Sequence, residues 1–286
     1  MRKLKIILEM IKFEHTIFAL PFAFLGAALG SLTVEGQWPS WEQWLWITLA
    51  MIGGRSAAMS LNRVIDAKID EMNPRTSDRA IPAKLISKAE ALLFIVVSFI
   101  VLFFSAFQLN MLSVYLLPIA VFFLVFYSYT KRFTWACHLF LGATIGIAPL
   151  GGWVATTGTL TLDAFILFVI VAFWIAGFDI IYATQDAGYD REVKLHSIPS
   201  QFGIARSLII ARVFHVISFF ALLLLATVTP LGWIYLIGAL IAGAVMVYEH
   251  SLVSAEDLSN VNKAFFTMNG IISLVMLAFT IGDLLL

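Results

Sequence analysis

Long apolar runs alternate with short polar breaks along the whole chain. Nine runs are long enough to cross a bilayer, at about 14–34, 42–66, 89–107, 112–130, 136–157, 163–185, 206–228, 231–249 and 265–285, since a span takes roughly 20 mostly apolar residues. The first two are separated by Glu35-Gly36-Gln37-Trp38-Pro39-Ser40, a polar turn flanked by Trp38 and Trp41, aromatic residues of the kind that sit at membrane–water interfaces. Upstream, Met1–Phe13 is basic with a short apolar run. It reads as an interfacial amphipathic helix rather than a signal peptide, because the next apolar segment is long enough to span and no cleavage site follows. The expected fold is all-α: a polytopic membrane protein of about nine transmembrane helices, one integral membrane domain over residues 1–286, with a cytoplasmic cap formed by the loops after spans two and six.

Composition agrees with the pattern. The chain is 61% hydrophobic and 13% charged, with a mean hydropathy of +0.94, too apolar for a water-soluble globule. Its formal charge of zero conceals a strong asymmetry. Arg2, Lys3, Lys5 and Lys12 precede span one; Arg63, Lys68, Arg75, Arg79, Lys84 and Lys88 lie between or at the ends of spans two and three. Lys131 and Arg132 follow span four, Arg191, Lys194, Arg206 and Arg212 follow span six, and Lys263 precedes span nine. The opposite loops carry Glu35 and Asp163 but no Lys or Arg. The N-terminus is therefore expected in the cytoplasm and, with an odd number of spans, the C-terminus outside. In a bacterium this is the inner membrane. Nothing in this layout suits nucleic acid, and no obligate protein partner is evident. A single cysteine, Cys137, excludes an internal disulfide and a cysteine-rich metal site.

Two acid clusters share one spacing. Asn62-x-x-x-Asp66-x-x-x-Asp70 ends span two, and Asp179-x-x-Tyr182-Ala-x-Gln-Asp186-x-x-x-Asp190 ends span six. On a helix, Asp-x-x-x-Asp puts both carboxylates on one face, roughly 6 Å apart along the axis. Like charges so placed destabilise a bare helix, whereas a divalent cation between them reverses the sign. Oxygen ligands suit Mg²⁺, which commonly sits between one or two carboxylates and substrate phosphates. Asp66 and Asp186, like Asp70 and Asp190, are 120 residues apart, which is compatible with two related halves.

Each acid pair leads into a basic loop. The first runs Asp70-Glu71-Met72-Asn73-Pro74-Arg75-Thr76-Ser77-Asp78-Arg79-Ala80-Ile81-Pro82-Ala83-Lys84, and the second runs from Asp190 through Lys194 and His196 to Ser200. Acids that hold Mg²⁺ beside bases that hold phosphate oxygens describe a diphosphate site. A lipid-embedded body beneath it suggests that the rest of the substrate is hydrocarbon, which together indicate a prenyl diphosphate. Arg55 lies seven residues before Asn62, on the same helical stripe as Asp66 and Asp70. An intramembrane arginine is costly and faces a polar cavity or a partner. Asp179 and Tyr182 share a stripe with Asp186 and Asp190.

These motifs resemble the two signatures of the UbiA superfamily of intramembrane prenyltransferases. Tyr127-x-x-x-Lys131-Arg132 resembles a third element of that family, and Asn-Pro-Arg-Thr-x-x-Arg-Ala-Ile-Pro-Ala its loop after the first motif. The similarity extends over essentially the whole chain and is greatest to the 4-hydroxybenzoate polyprenyltransferase branch and related menaquinone-pathway enzymes. Three positions depart: Lys84 stands where the family usually has glycine, His196 where the hydroxybenzoate enzymes often carry lysine, and Ala187-Gly188-Tyr189 where that branch is more acidic.

The resemblance implies transfer of a polyprenyl group from an allylic diphosphate to an aromatic quinone precursor. It implies two Mg²⁺ ions, one on Asn62, Asp66 and Asp70 and one on Asp186 and Asp190. Arg75, Arg79, Lys131 and Lys194 are then phosphate contacts, Tyr127 and Tyr182 candidates for stabilising an allylic cation, Arg55 and Arg132 anchors for an acceptor carboxylate, and Asp179 a group that orients an acceptor hydroxyl or takes a proton. The first acceptor it implies is 4-hydroxybenzoate or a similar quinone precursor; the alternative is a naphthoate or a futalosine-derived menaquinone precursor.

Blander readings compete. The acids could be solvated helix ends paired with nearby bases, and Arg55 could be a structural partner of Asp66. His15, His138, His215 and His250 read as interfacial or packing residues. Gly142, Gly146, Gly151 and Gly152 read as close helix contacts, and Pro21, Pro118 and Pro149 as kinks. From another class, a cation-coupled transporter also uses intramembrane acids, but places them near the bilayer midplane.

Overall fold

The computed structural model describes residues 2–11 and 16–286. Lys12, His15 and the start of the first expected span lie outside them. The described residues are helical throughout, with no strand. A short α1 (Arg2–Met10) precedes α2 (Thr16–Glu35) and α3 (Trp41–Ile65). Next come α4 (Ala67–Met72), α5 (Lys88–Leu109), α6 (Met111–Thr130), α7 (Cys137–Thr157) and α8 (Leu162–Ala183). A 3₁₀ turn (Thr184–Asp186) joins α8 to α9 (Ala187–Glu192), followed by α10 (Ile198–Phe202), α11 (Ile204–Val228) and α12 (Trp233–Ser251). A π-helical turn (Lys263–Met268) opens α13 (Asn269–Leu285).

Among the described residues, seven helices are long and apolar enough to cross a membrane: α5, α6, α7, α8 continued to Glu192, α11, α12 and α13 with its π-turn. The protein is thus a multi-pass membrane protein. All nine expected runs are helices with ends within a few residues of those read from the pattern. Local chemistry sets several starts. Ser40 with Gln43 and Ser87 with Glu90 form capping boxes, while Asn110 and Thr161 accept from the backbone N–H three residues on, satisfying donors that a helix start leaves free.

Small residues allow the helices to approach closely. A Cβ on Gly26 would lie 2.1 Å from the Pro149 carbonyl oxygen, and one on Gly152 2.2 Å from that of Ala23, so α2 and α7 touch backbone to backbone. Gly142 meets Ala172 at 2.1 Å and Gly146 meets Phe168 at 2.9 Å across α7 and α8. Gly151 is different: nothing lies within 4 Å of its Cβ position. Helix α8 forms the centre of the bundle, with Trp174, Ile175 and Ile180 fully buried alongside Trp153 and Tyr235. Large apolar residues face outward instead, among them Leu93, Ile100, Phe107, Phe220 and Val247, as a lipid-facing surface requires.

Polar side chains also join the helices, as is common within membranes. The Trp174 Nε1–H donates to Asn269 Oδ1 at 2.7 Å, and Asn269 Nδ2 donates to Glu249 Oε1 at 3.0 Å. The same amide nitrogen reaches the carbonyls of Ala264 (3.2 Å) and Phe265 (3.0 Å) inside the π-turn. At the polar end of the bundle, α1 covers α4, the following loop and the start of α5 through Met10, Ile11, Ala67, Ile81, Ile86 and Ala91.

Candidate active site

Both acid motifs bend where a continuous helix was expected. At Asp66 the backbone turns to φ −90°, ψ 3° between α3 and α4; at Asp186 it turns to φ −99°, ψ 0° between the 3₁₀ turn and α9. Helical residues sit near about −63° and −42°, so the two aspartates occupy the bridge region that active-site residues often adopt. Neither bend falls on Pro or Gly. In the first motif the helical hydrogen bonds continue through the bend, Asp66 N–H to Asn62 O at 2.9 Å and Asp70 N–H to Asp66 O at 2.8 Å. The three motif residues therefore remain on successive turns. The bent segments are held from outside: the Tyr189 hydroxyl donates to the Ile69 carbonyl at 2.8 Å, and the Thr76 hydroxyl donates to that of Asp70 at 3.1 Å.

The bends bring the acids to one polar cavity of about 830 Å³. Of the expected site residues, Arg55, Asn62, Asp66, Asp70, Arg75, Arg79, Tyr127, Lys131, Asp179, Tyr182, Asp186 and Asp190 line it. Arg132 does not line it but grips Asp66 from the side. Lys194 is the exception: it is exposed and is not among the residues lining the cavity, although its neighbour Leu195 is, and its backbone is left-handed (φ 57°).

Acids and bases alternate around the wall. Asp66, 1% exposed, takes Lys131 Nζ at 2.7 Å, Arg132 Nη2 at 2.9 Å and Asn62 Nδ2 at 3.1 Å. Asp70 takes Arg79 Nη1 at 2.7 Å and lies 4.0 Å from Arg63 Nη1; its Oδ2 is buried with no hydrogen-bond partner among the described residues. Asp186 receives Arg75 through Nε at 2.9 Å and through Nη2, and also Asn73 Nδ2 at 3.2 Å. Arg75 Nη1 further donates to the Tyr182 hydroxyl at 3.2 Å and its guanidinium lies 5.4 Å from that ring. Burial alone would lower the Arg75 pKa, but the hydrogen bond and charge of Asp186, with Tyr182, more than offset this and raise it. Asp190 accepts from Ser197 Oγ at 2.9 Å.

A second cavity, apolar and of about 260 Å³, adjoins the first. Five side chains line both: Arg55, Met59, Tyr127, Leu141 and Ile145. Arg55 thus stands at the junction. Its Nε is buried without a hydrogen-bond partner among the described residues, and the alternative pairing with Asp66 is not made, since Asp66 is held by Lys131, Arg132 and Asn62. The apolar cavity is lined by residues of α2, α3, α5, α6 and α7, among them Gly151 and Ile119, the latter 54% exposed. On the other wall of the polar cavity, Phe265 packs on Tyr182 with ring centroids 4.2 Å apart and edge-on to Phe178 at 5.1 Å.

The donor set can be weighed against Mg²⁺. Among the described residues no three His, Cys, Asp or Glu side chains form a closed metal cage. Carboxylate oxygens from two opposed corners, one of them an orphaned buried atom, fit instead a cation completed by substrate phosphates and water, the usual state of protein-bound Mg²⁺.

Sequence reasoning missed several contributors. His138, read as a packing residue, bonds Asp179 through Nδ1 at 2.6 Å. Arg63, read only as a topological charge, is buried against Asp70 and the Met10 carbonyl. Ser197, Asn73 and Tyr189 hold the acids or their backbone. Only Arg63 carried a local signal, lying seven residues before Asp70 on the same helical stripe.

The buried acid–base cavity opening onto an apolar one, in a lipid-facing bundle, defines an intramembrane enzyme for a substrate with a polar head and a greasy tail. A model of the UbiA prenyltransferase family matches residues 19–271, and the chain belongs to that family. It is similar to the 4-hydroxybenzoate octaprenyltransferases of Vibrio campbellii, 28% identical over 268 residues and 93% of each chain, and of Aliivibrio fischeri strain MJ11, 30% identical over 241 residues, 84% of this chain and 83% of the relative. Among solved structures, the apo UbiA homologue of Aeropyrum pernix K1 superposes with a TM-score of 0.86 at 28% identity, covering 95% of this chain and 98% of that one. A UbiA homologue from Archaeoglobus fulgidus bound to GPP and Mg²⁺ shares the fold, with a TM-score of 0.71 at 16% identity over 98% of this chain and 100% of that one. The protein is a prenyltransferase.

Proposed function

We propose that the enzyme transfers a polyprenyl group from an allylic polyprenyl diphosphate to an aromatic quinone precursor, 4-hydroxybenzoate or a close analogue, in ubiquinone or menaquinone biosynthesis. The observation that carries this reading is the joining of the two cavities at Arg55: an acid- and base-lined chamber for a diphosphate continues directly into an apolar one for its tail. With α2 and α3 counted as crossing helices, nine spans leave the polar cavity at the cytoplasmic face of the inner membrane. The loops over residues 73–87 and 193–197 then form the cap, with the N-terminus inside and the C-terminus outside.

Mg²⁺ would be held by Asn62, Asp66 and Asp70 on one side and by Asp186 and Asp190 on the other, and when bound supplies charge neutralisation for the leaving diphosphate. Arg75, Arg79 and Lys131 bind phosphate oxygens, Arg75 as a fork already aligned by Asp186. Arg132 keeps Asp66 in place. Lys194 has no part in this set. Loss of diphosphate leaves an allylic cation flanked by the Tyr182 and Phe265 faces and by Tyr127, where ring quadrupoles favour positive charge. The apolar junction excludes water, so the cation meets the acceptor ring rather than hydroxide. Arg55, whose buried Nε has no hydrogen-bond partner among the described residues, anchors the acceptor carboxylate, and Asp179 orients its hydroxyl or receives the ring proton.

The names of the similar bacterial enzymes favour 4-hydroxybenzoate. A naphthoate or futalosine-derived precursor would use the same machinery, and the departures at Lys84, His196 and Ala187-Gly188-Tyr189 weaken the case for 4-hydroxybenzoate. Family membership sets the transporter reading aside. The test is transfer from radiolabelled polyprenyl diphosphate in membranes, with and without Mg²⁺, against a panel of aromatic acceptors. Labelled prenyl-4-hydroxybenzoate is expected. Product with a naphthoate alone moves the pathway and keeps the chemistry, while no product with any acceptor from folded protein refutes the reading.

A further inference from the structure

We infer that His138 is a positioning residue for the acceptor side of the reaction, fixing the Asp179 carboxylate to the same loop corner that holds Asp190. The inference rests on the reading that Asp179 acts on the aromatic acceptor.

Asp179 lies on α8 between buried Phe178 and Ile180, a place where an unpaired carboxylate is costly. Its hydrogen-bond partner among the described residues is His138 of α7, itself 3% exposed, through Nδ1 and Oδ2 at 2.6 Å. The other ring nitrogen, Nε2, accepts the backbone N–H of Ile198 at 3.3 Å. A nitrogen that accepts an N–H carries no proton, so the ring hydrogen sits on Nδ1 and is donated to Asp179. The tautomer is thereby dictated by the backbone of a different segment. His138 engages Oδ2 alone, and Asp179 still lines the polar cavity.

The Ile198 N–H belongs to the first turn of α10, where helix donors lack internal partners, and His138 satisfies it. The residue before it, Ser197, gives its hydroxyl to Asp190 at 2.9 Å. Ile198 is fully buried, and the His196 N–H is tied to the Lys131 carbonyl at 2.7 Å. One rigid corner therefore sets both an acid of the diphosphate side and, through His138, the acid of the acceptor side. A histidine used only for packing needs neither bond.

The two bonds are separable by substitution. His138→Asn keeps an amide donor near the Nδ1 position, whereas His138→Gln places an amide oxygen near Nε2 and loses the donor to Asp179. The variants, with His138→Ala, Asp179→Asn and the double variant Asp179→Asn/His138→Ala, are assayed in lipid nanodiscs by varying each substrate at saturating levels of the other, with thermal unfolding measured in parallel. His138→Gln and His138→Ala should lower kcat/KM for the acceptor by roughly 10–100-fold with the KM for polyprenyl diphosphate little changed. His138→Asn should keep most of the activity, and the double variant should be no worse than Asp179→Asn. The positioning role is overturned if Asp179→Asn is crippled while His138→Gln is not, if Gln and Asn impair both substrates alike in step with a lower Tm, or if the two losses add. Full acceptor kcat/KM in Asp179→Asn would instead remove Asp179 itself from the reaction, and the inference with it.

Discussion

Asp66 and Asp186, 120 residues apart, adopt the same backbone conformation within about ten degrees, each where a long helix gives way to a short one. Each is then gripped by cations: Asp66 by Lys131 and Arg132, Asp186 by Arg75. The two bends contact one another through Asn73 with Asp186 and Tyr189 with Ile69. The halves of the site are thus built alike and face each other.

Neutralising either corner should abolish transfer. Asp66→Asn and Asp186→Asn are expected to lower kcat by about 10²–10³-fold, the scale of losing one preorganised charge-stabilising group. Part of the loss at Asp66 comes from leaving Lys131 and Arg132 without their shared anion. Rates followed against Mg²⁺ concentration check this, and chelation of the divalent ions should silence the wild type. Near-normal transfer by either variant at limiting Mg²⁺ would contradict the assignment of these acids.

The Arg75 fork should not tolerate lysine. A single ammonium cannot reproduce the contacts to both Asp186 oxygens and to Tyr182. Arg75→Lys should raise the KM for polyprenyl diphosphate by about tenfold and leave the acceptor KM near its normal value. Equal effects on both substrates would show that Arg75 serves the fold alone. Because its pKa is raised rather than lowered, the guanidinium stays charged between pH 6 and 9, so the defect of Arg75→Lys should be flat with pH.

Gly151 lines the apolar cavity with open space where a side chain would go. Gly151→Phe should therefore shorten the longest prenyl donor accepted, each excluded methylene being worth about 0.8 kcal/mol of lost burial. Competition between short and long donors, read by product mass, tests it. An unchanged preference would mean that the tail lies elsewhere.

Lys84 has φ 58° on an exposed loop, a left-handed conformation that costs an L-residue roughly 1 kcal/mol. This accounts physically for the glycine usual at that position in the resembling family. Lys84→Gly should stabilise the protein by up to about 1 kcal/mol, seen as a higher Tm in detergent with activity retained. A lower Tm would mean that the lysine side chain contributes more than its backbone loses.

Asn269 ties Trp174 and Glu249 to two carbonyls of the π-turn that carries Phe265. Asn269→Leu strands these buried groups at about 1–3 kcal/mol each, and should loosen the aromatic wall beside Tyr182. A lower Tm with more hydrolysis of the diphosphate to free prenyl alcohol per turnover is expected. Loss of stability with unchanged partitioning between alcohol and product would confine Asn269 to a structural role.

The long helices were legible because a bilayer demands uninterrupted apolar runs, and the site acids because their spacing repeats on a chain otherwise poor in charge. The bends at Asp66 and Asp186 were not, since no Pro or Gly marks them and the helical hydrogen bonds at Asp66 persist. His138 was not legible as a partner of Asp179 either: 41 residues separate them, and only the packing of α7 on α8 brings them together. Lys194 shows the converse. Its charge and loop position matched the pattern, but it is not among the residues lining the cavity.

The meeting of a polar and an apolar chamber at Arg55 also sorts what leaves. On the proposed reaction, diphosphate, a strongly hydrated anion, leaves through the charged chamber, whereas the prenylated product favours the apolar one, whose lining includes the exposed Ile119. On that reading the two products part by solubility. Rising diphosphate in the cell should then compete with incoming donor, while a product bearing a long apolar chain partitions into lipid and does not.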